Sequence, residues 1–389
     1  GDVYKRQVYT TQSGANICSS EGTGRFIQTG APGTGSNTYQ CTQANKDITY
    51  VSIPITPAKL KNADGKYTET KDAVANDTFI YCKCQDCGNG TWVKDVAAII
   101  NNGTQGDTYS TLEAAVNAYS PDSNTAPTNY IKLLHNTTEK PISVNNKSLR
   151  LDLNGRTVTG DISVTSGYKL YGMDNSSKEY IAPSGKIVGK VTGYAPTYQT
   201  PGDTNDCYVA IQGKEADKET TNLSFHRFNI SVTGYRFELA APECALFFIG
   251  KFQGDDAAKK HLTSLGFTLK DGKGTQLGTD SSPIPENLED IPDMPDDGKE
   301  STSEVVRTKD GAFLFEAYLK RSFDRNSTDK TAYTEKISAT AQAMFKNNGT
   351  QDSEPKLWSF EDAWKNAEGL TPEQKAILKN FLPDLDFNP

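Results

Sequence analysis

Residues 149–171 read LRLDLNGRTVTGDISVTSGYKLY, and this stretch decides the fold expected for the middle of the chain. It holds three short apolar runs separated by Asn-Gly or Ser-Gly pairs, which are typical of tight corners. Similar runs occur at residues 130–134 and 186–188, and no helical pattern intervenes. Because strands this short bury their apolar side only by stacking on neighbours, the spacing predicts the turns of a parallel β-solenoid.

A short amphipathic segment, YSTLEAAVNAY at residues 109–119, precedes these strands. Ser110 or Thr111 can cap a helix there, with apolar side chains at helical spacing along one face. We expect this helix to cover the first turn of the solenoid and its exposed edge.

The pattern changes from about residue 206 to longer alternating strands. Phe228, Ile230 and Val232 lie two residues apart, which is the period of a half-buried strand and favours an antiparallel sandwich. A short helix is expected within residues 255–265, and the last strand region at 333–345. Residues 280–300 hold eight acidic residues against one lysine, with four prolines, which predicts a long loop.

The predicted fold class is therefore mainly β. We expect a small Cys-containing β module at residues 8–106, a helix-capped short solenoid at 107–200, an Ig-like sandwich at 206–350 and a helical hairpin at 351–389. Ser359 and Thr371 are the N-cap candidates of that hairpin, and Pro372 suits the first helical position.

Five of the seven cysteines lie in the first 87 residues. Cys84 and Cys87 have the spacing of a zinc knuckle, and Cys18 and Cys41, or one of them with Cys82, would complete a four-thiolate site for structural Zn²⁺. A disulfide between Cys18 and Cys41, or unpaired thiols, are the alternatives. Two later cysteines fall on predicted strands, where small apolar core residues are expected: Cys207 and Cys244.

Charge and hydropathy exclude several partners. A net charge of −8 and a sequence pI near 5.1, with no basic tract, argue against nucleic acid or an anionic membrane as the main partner. No run of 18 apolar residues occurs, so no membrane-spanning segment is expected.

The run YSTLEAAVNAY…IKLLHN…LRLDLNGRTVTGDISV resembles right-handed β-helix segments of secreted and cell-surface proteins from gut Gram-positive bacteria. The later run SFHRFNISVTGYRFEL…ALFFIGKFQGD…LTSLGFTL is similar to the sandwich module that follows such segments. The resemblance implies an extracellular or cell-surface location and no particular activity. The opening GDVYKRQ resembles a translated library adaptor of metagenomic reading frames, so we expect a fragment.

Motifs of common enzyme classes are absent from the sequence: it has no GxSxG, Walker loop or HExxH. A lyase or glycosidase on the solenoid would need a base beside a cation, or two carboxylates. Asp152, Arg156 and Asp161 are the candidates for that catalytic role. The alternative is that Asp152 makes corner hydrogen bonds and Arg156 is solvated.

Our first hypothesis is a non-catalytic module of a secreted or surface-anchored protein: an adhesin, a stalk or a glycan-binding segment. Its partner would be a polysaccharide, a mucin glycan, or a host or neighbouring cell surface. Candidate ligand-binding aromatics are Trp92, Tyr109, Tyr168 and Tyr171. The alternatives are a carbohydrate-active enzyme on the solenoid face and a purely structural spacer.

Overall fold

The computed structural model describes residues 96–109, 111–177, 180, 185–201, 206–214, 221–240, 243–295, 304–322, 331–347, 349–367 and 370–381. Of the residues before 96 it describes only the backbone of seven strands. The described chain is mainly β, with mixed and antiparallel sheets, as the sequence predicts.

The strands up to residue 145 are β1 (Phe26–Gln28), β2 (Asn37–Gln43), β3 (Lys46–Ile55), β4 (Leu60–Lys61), β5 (Tyr67–Thr68), β6 (Asp77–Cys82), β7 (Thr91–Lys94), β8 (Ala97–Asn101), β9 (Thr104–Tyr109), β10 (Tyr130–Leu133), β11 (Thr137–Thr138) and β12 (Ile142–Val144). Those that follow up to residue 240 are β13 (Leu149–Asp152), β14 (Thr157–Thr159), β15 (Ile162–Val164), β16 (Leu170–Met173), β17 (Lys186–Val188), β18 (Val191–Thr192), β19 (Thr197–Gln199), β20 (Cys207–Lys214) and β21 (Thr221–Ala240).

The remaining strands are β22 (Glu243–Gly254), β23 (Leu262–Lys270), β24 (Gln276–Pro283), β25 (Val305–Arg307), β26 (Phe313–Ser322), β27 (Ile337–Phe345), β28 (Thr350–Asp352) and β29 (Lys356–Trp358). The helices are α1 (Leu112–Ala118), α2 (Asp256–His261), α3 (Thr331–Thr334), α4 (Phe360–Lys365) and α5 (Pro372–Phe381), and a 3₁₀ turn spans Leu288–Asp290.

The chain divides into two compact units. The first comprises Gly1–Ser176, Pro183–Ala195 and Gln212–Ser224. The second comprises Ser177–Ala182, Pro196–Ile211 and Phe225–Pro389.

The early strands of the first unit form an antiparallel sheet in the order β1-β2-β3-β6-β7, and β4 pairs with β5. The sequence runs YVSIPI and DTFIYC, rich in β-branched and aromatic residues, lie in β3 and β6.

Three ladders of short parallel strands organise the rest of the first unit. They are β10-β13-β16, β11-β14-β17 and β12-β15-β18, each built from three strands in sequence order. Ile142, Ile162 and Val191 share one register position and are buried, so equivalent residues of three successive strands of this ladder align. Antiparallel partners flank two ladders: β8 pairs with β10, and residues 222–223 of β21 pair with β17.

Corners between these strands use left-handed backbone. Asn154 and Gly155 have φ values of 47° and 71°, a region in which Asn and Gly are the favoured residues. Gly160 has φ 146°, and an added Cβ would lie 2.6 Å from the carbonyl oxygen of Glu139. Both the conformation and the close approach therefore exclude a larger side chain there.

Helix α1 is held at both ends by residues of the segments that follow β11 and β12. Its N-cap is Thr111, one of the two predicted candidates, and the Leu112 amide donates to Glu139 at 2.8 Å. Lys147 Nζ donates to the carbonyl oxygens of Val116 and Tyr119 at 2.7 and 2.6 Å. Negative charge at a helix N-terminus and positive charge at its C-terminus stabilise the helix.

The second unit contains two antiparallel arrangements of long strands. One runs β21-β22-β26-β25, and the other runs β24-β23-β27-β28 with β29 also paired to β27. Phe228 and Phe252 of the first arrangement pack on Phe345 of the second, with ring centroids 4.9 and 6.3 Å away. Burying each such ring contributes about 1.5–3 kcal/mol.

The predicted start of α4 is confirmed, because Ser359 forms a capping box with Asp362. The Thr371 hydroxyl likewise accepts from the Gln374 amide at 3.2 Å, and α5 begins at Pro372. Phe360 and Trp364 of α4 are fully buried in the core of the second unit.

Two expectations for this region were wrong in part. The acidic stretch 280–300 begins inside β24 and includes the 3₁₀ turn, because Ser282 is buried in the sheet and Asn287 caps the turn. Residues 333–345 start in helix α3, and two further strands, β28 and β29, follow β27.

Candidate functional site

Asp152, the first of the predicted catalytic carboxylates, ends β13 and is buried. Its carboxylate accepts the amides of Asn154 at 2.9 Å and Asn175 at 3.0 Å, and the Asn175 side chain donates to it at 3.3 Å. Burial raises the pKa of Asp152, against the lowering effect of those amides. The carboxylate therefore joins two successive corners of the chain.

The other two predicted catalytic residues, Asp161 and Arg156, contact different parts of the chain from Asp152. Asp161 is exposed, and its carboxylate accepts the Lys190 amide at 2.8 Å. Arg156 is half-buried, and its backbone bonds to Leu153 and Lys186. Within the described residues, no hydrogen bond or ion pair links the Arg156 guanidinium to either carboxylate.

Asp174 is a second buried corner carboxylate, and our sequence analysis missed it. It accepts amides from Gly155 at 3.1 Å, Ser176 at 2.9 Å and Gly185 at 3.1 Å. The signal was the sequence Asp-Asn-Ser directly after β16, because Asp and Asn after a strand favour turns that bond to the backbone.

The predicted aromatic ligand-binding residues are dispersed. Tyr109 is buried, while Tyr168 and Tyr171 are half-buried, and burial raises the pKa of Tyr171. Trp92 lies on β7, of which only the backbone is described.

The predicted zinc ligands lie mostly outside the described residues: Cys18, Cys84 and Cys87 do so, and Cys41 lies on β2 without side-chain description. Zinc, a disulfide and free thiols therefore stay open predictions. Cys207 and Cys244 are buried core residues, as expected, and burial raises the pKa of Cys244 to about 12.

A surface that the sequence analysis did not single out lies on the outer side of β21, β22 and β26. Register aligns Arg236 with Phe247, and Phe247 with Tyr318, across the three strands. Glu316 and Lys320 flank Tyr318 on β26, and Glu238 follows Arg236 on β21. We call these six residues the Tyr318 face: Arg236, Glu238, Phe247, Glu316, Tyr318 and Lys320.

Arg236 is fixed at the centre of this face. Its guanidinium carbon lies 3.6 Å from the centroid of the Phe247 ring. Its Nε donates to Glu316 at 3.0 and 3.2 Å, another guanidinium nitrogen donates to Glu316 at 2.8 Å, and it also pairs with Glu238. Burial lowers the pKa of Arg236, but the bonds to Glu316 and Glu238 outweigh this and raise it.

Tyr318 is the outermost ring of the face. Tyr318 is 49% exposed, and its ring centroid lies 5.3 Å from that of Phe247 at an interplanar angle of 38°. Lys320 Nζ lies 5.4 Å from the Tyr318 centroid. The sequence signal was alternation in FLFEAYLKRS, because the positions that share Tyr318's side of the strand also include Glu316 and Lys320.

A buried pair elsewhere in the second unit has a structural explanation. His226 Nδ1 lies 2.7 Å from Asp255 Oδ2, and the other oxygen of Asp255 accepts the Ala258 amide at 2.7 Å. Asp255 is the N-cap of α2, so the pair anchors that helix to β21.

A scan against models of known protein families finds no match, and a comparison with curated proteins finds none either. Among solved structures, the chain is similar in part to the apo structure of Bacteroides uniformis beta-glucuronidase 3, at 10% sequence identity and a TM-score of 0.18. That likeness covers 36% of this chain and 14% of the other, and we draw neither fold nor function from it. None of the helices in the described part of the chain is long and apolar enough to cross a membrane.

Proposed function

We propose that the chain is a non-catalytic module of an extracellular or surface-anchored protein, combining a short β-solenoid with an Ig-like β-sandwich. The three parallel ladders support the solenoid interpretation, because equivalent residues recur at one register position in successive turns. The opposed antiparallel sheets, joined by Phe228, Phe252 and Phe345, support the sandwich.

One observation carries the functional part of the proposal: three aspartates beside the parallel ladders of the first unit bond to backbone amides. Asp152, Asp174 and Asp161 each accept backbone amides of the turns beside them. A general base must present a free lone pair to its substrate within hydrogen-bond reach. Asp152 is buried and already accepts two backbone amides, so we assign its carboxylate to stabilising the fold.

The test is incubation of the full chain with a panel of plant polysaccharides and mucin glycans. Release of reducing ends and of unsaturated sugars would be recorded beside depletion of the protein from solution. We expect no product at any pH. Product release that is lost in Asp161→Asn would overturn the proposal, because Asp161 is exposed and this variant keeps the core intact.

A further inference from the structure

We propose that the Tyr318 face binds an uncharged pyranose residue of a glycan chain, with Tyr318 stacking on the sugar ring. This inference rests on the proposed non-catalytic function and names its ligand class. Tyr318 offers what a sugar needs, since an exposed aromatic ring can cover the apolar C–H side of a pyranose. Phe247, tilted beside it, extends the apolar floor.

The geometry leaves Tyr318, rather than Phe247, as the ring to be stacked on. The Arg236 guanidinium occupies one side of Phe247 at 3.6 Å, and its bonds to Glu316 hold it there. The cation near Tyr318 is held less closely than Arg236. The Nζ atom of the exposed Lys320 lies 5.4 Å from the centroid of the Tyr318 ring. Such an exposed contact is worth about 0.5–1 kcal/mol, so a sugar displaces it at little cost.

Polar groups around Tyr318 match sugar hydroxyls, which both donate and accept. The side chains of Glu316 and Glu238 are 36% and 44% exposed, so lone pairs on both carboxylates remain accessible to hydroxyl donors. Lys320 supplies ammonium donors to hydroxyl oxygens. The ring and its rim therefore satisfy both the apolar and the polar sides of one sugar unit.

Charge selects a neutral sugar over an acidic one. Arg236 and Lys320 carry two positive charges on the face, and Glu238 and Glu316 carry two negative ones. Arg236, the natural partner for a uronate or sialate, is already paired with both carboxylates. With two charges of each sign the face carries no net charge, so it offers an anionic sugar no net attraction.

Size argues for a sugar over a protein partner. The apolar part of the face is two adjacent rings, with charged side chains two residues from Tyr318 along β26. Stable protein–protein interfaces bury about 1,200–2,000 Å² in total, which is far more than two half-exposed rings provide.

The test is calorimetric titration of the full chain with neutral hexasaccharides of glucose, xylose, mannose and galactose, and with hexagalacturonate and sialyllactose as acidic probes. We expect at least one neutral oligosaccharide to bind and the acidic probes to bind more weakly. Tyr318→Ala should weaken binding roughly tenfold or more, as loss of an aromatic anchor does. Tyr318→Phe, which keeps the ring, should retain most of the affinity.

Leu357→Ala is the matched control, because Leu357 is also exposed, at 59%, but lies on β29. It should bind like the unmodified chain. Failure of every neutral probe to bind, tighter binding of an acidic probe, or full affinity in Tyr318→Ala would overturn the inference. None of these results would affect the non-catalytic function, which fails only if sugar products appear.

Discussion

Two pairs of acidic side chains, one pair in each unit, have opposite environments. In the first unit, Asp152 and Asp174 are buried and hold the amides of successive corners. In the second, Glu238 and Glu316 stand on an outer sheet surface and pair with Arg236 while staying accessible. The contrast teaches that the two buried carboxylates stabilise the fold, whereas the two accessible ones are those to test for a ligand.

The largest effect should come from the core of the ladders. Leu151 is fully buried in β13, so Leu151→Ala removes its contacts and leaves a cavity, at a cost of about 2–5 kcal/mol. The same substitution at the exposed Leu357 should change stability by less than about 0.5 kcal/mol. Calorimetric unfolding of both variants measures this, and equal losses would mean that the ladders do not enclose a core.

The next largest effect on stability should come from Asp152. Asp152→Ala leaves the amides of Asn154 and Asn175 without their acceptor and should cost about 1–3 kcal/mol. Asp152→Asn keeps an acceptor oxygen at that corner and should cost less. Denaturant titration of both variants tests this, and an Asn variant as unstable as the Ala variant would argue against a hydrogen-bonding role.

The pH dependences that Asp152 and Asp362 contribute, one in each unit, should differ in sign. Burial raises the pKa of Asp152 above its ordinary 3.8, so its contribution to stability is full below 3.8 and is lost as pH rises through its pKa in the folded protein. Burial also acts to raise the pKa of Asp362, but bonds from Lys336 and Ser359 lower it overall. Its contribution is present above 3.8 and is lost as pH falls through its folded pKa.

Hydrogen exchange at a series of pH values would separate these two effects by unit. Asp152→Asn should remove the loss of protection on raising the pH in the first unit only. Asp362→Asn should remove the loss on lowering the pH in the second unit only. Identical pH profiles in both units would contradict the assignment.

A helix cap gives a smaller effect. Ser359→Ala removes the side-chain half of the capping box at α4 and should cost about 1 kcal/mol. Ser359→Asn, which preserves a capping acceptor, should be close to the unmodified chain in thermal unfolding. A loss of equal size in both variants would mean that the buried hydroxyl matters for packing and not for the cap.

The smallest stability effect is expected at the proposed ligand face. Tyr318→Ala should shift the free energy of unfolding by less than about 0.5 kcal/mol, because the ring is half-exposed. Denaturant titration beside Tyr318→Phe measures this. A loss above about 2 kcal/mol would show that the ring is a packing residue.

Sequence predicted the parts of the fold that local patterns specify. Alternation at Phe228, Ile230 and Val232 marked β21, and Thr111 and Ser359 marked helix starts. The two-residue strand β11 left no readable pattern, because two residues cannot show a period.

The candidate site was less predictable. Arg236 and Glu316 are 80 residues apart and meet only because three strands pair in one register, for which the sequence holds no local signal. Asp152 was predicted as a catalytic acid because it lies near Arg156 in sequence. Its environment depends instead on the amide of Asn175, which lies 23 residues later. Long-range strand pairing thus determines which carboxylates are buried in the fold and which stay accessible.

The most direct test of the account compares Asp152→Asn and Tyr318→Ala in one titration with the best-binding neutral oligosaccharide, at a temperature where both are folded. We predict that Asp152→Asn binds like the unmodified chain and that Tyr318→Ala loses most of its affinity. The reverse result, with affinity lost in Asp152→Asn and kept in Tyr318→Ala, would contradict the division between structural and ligand-facing side chains.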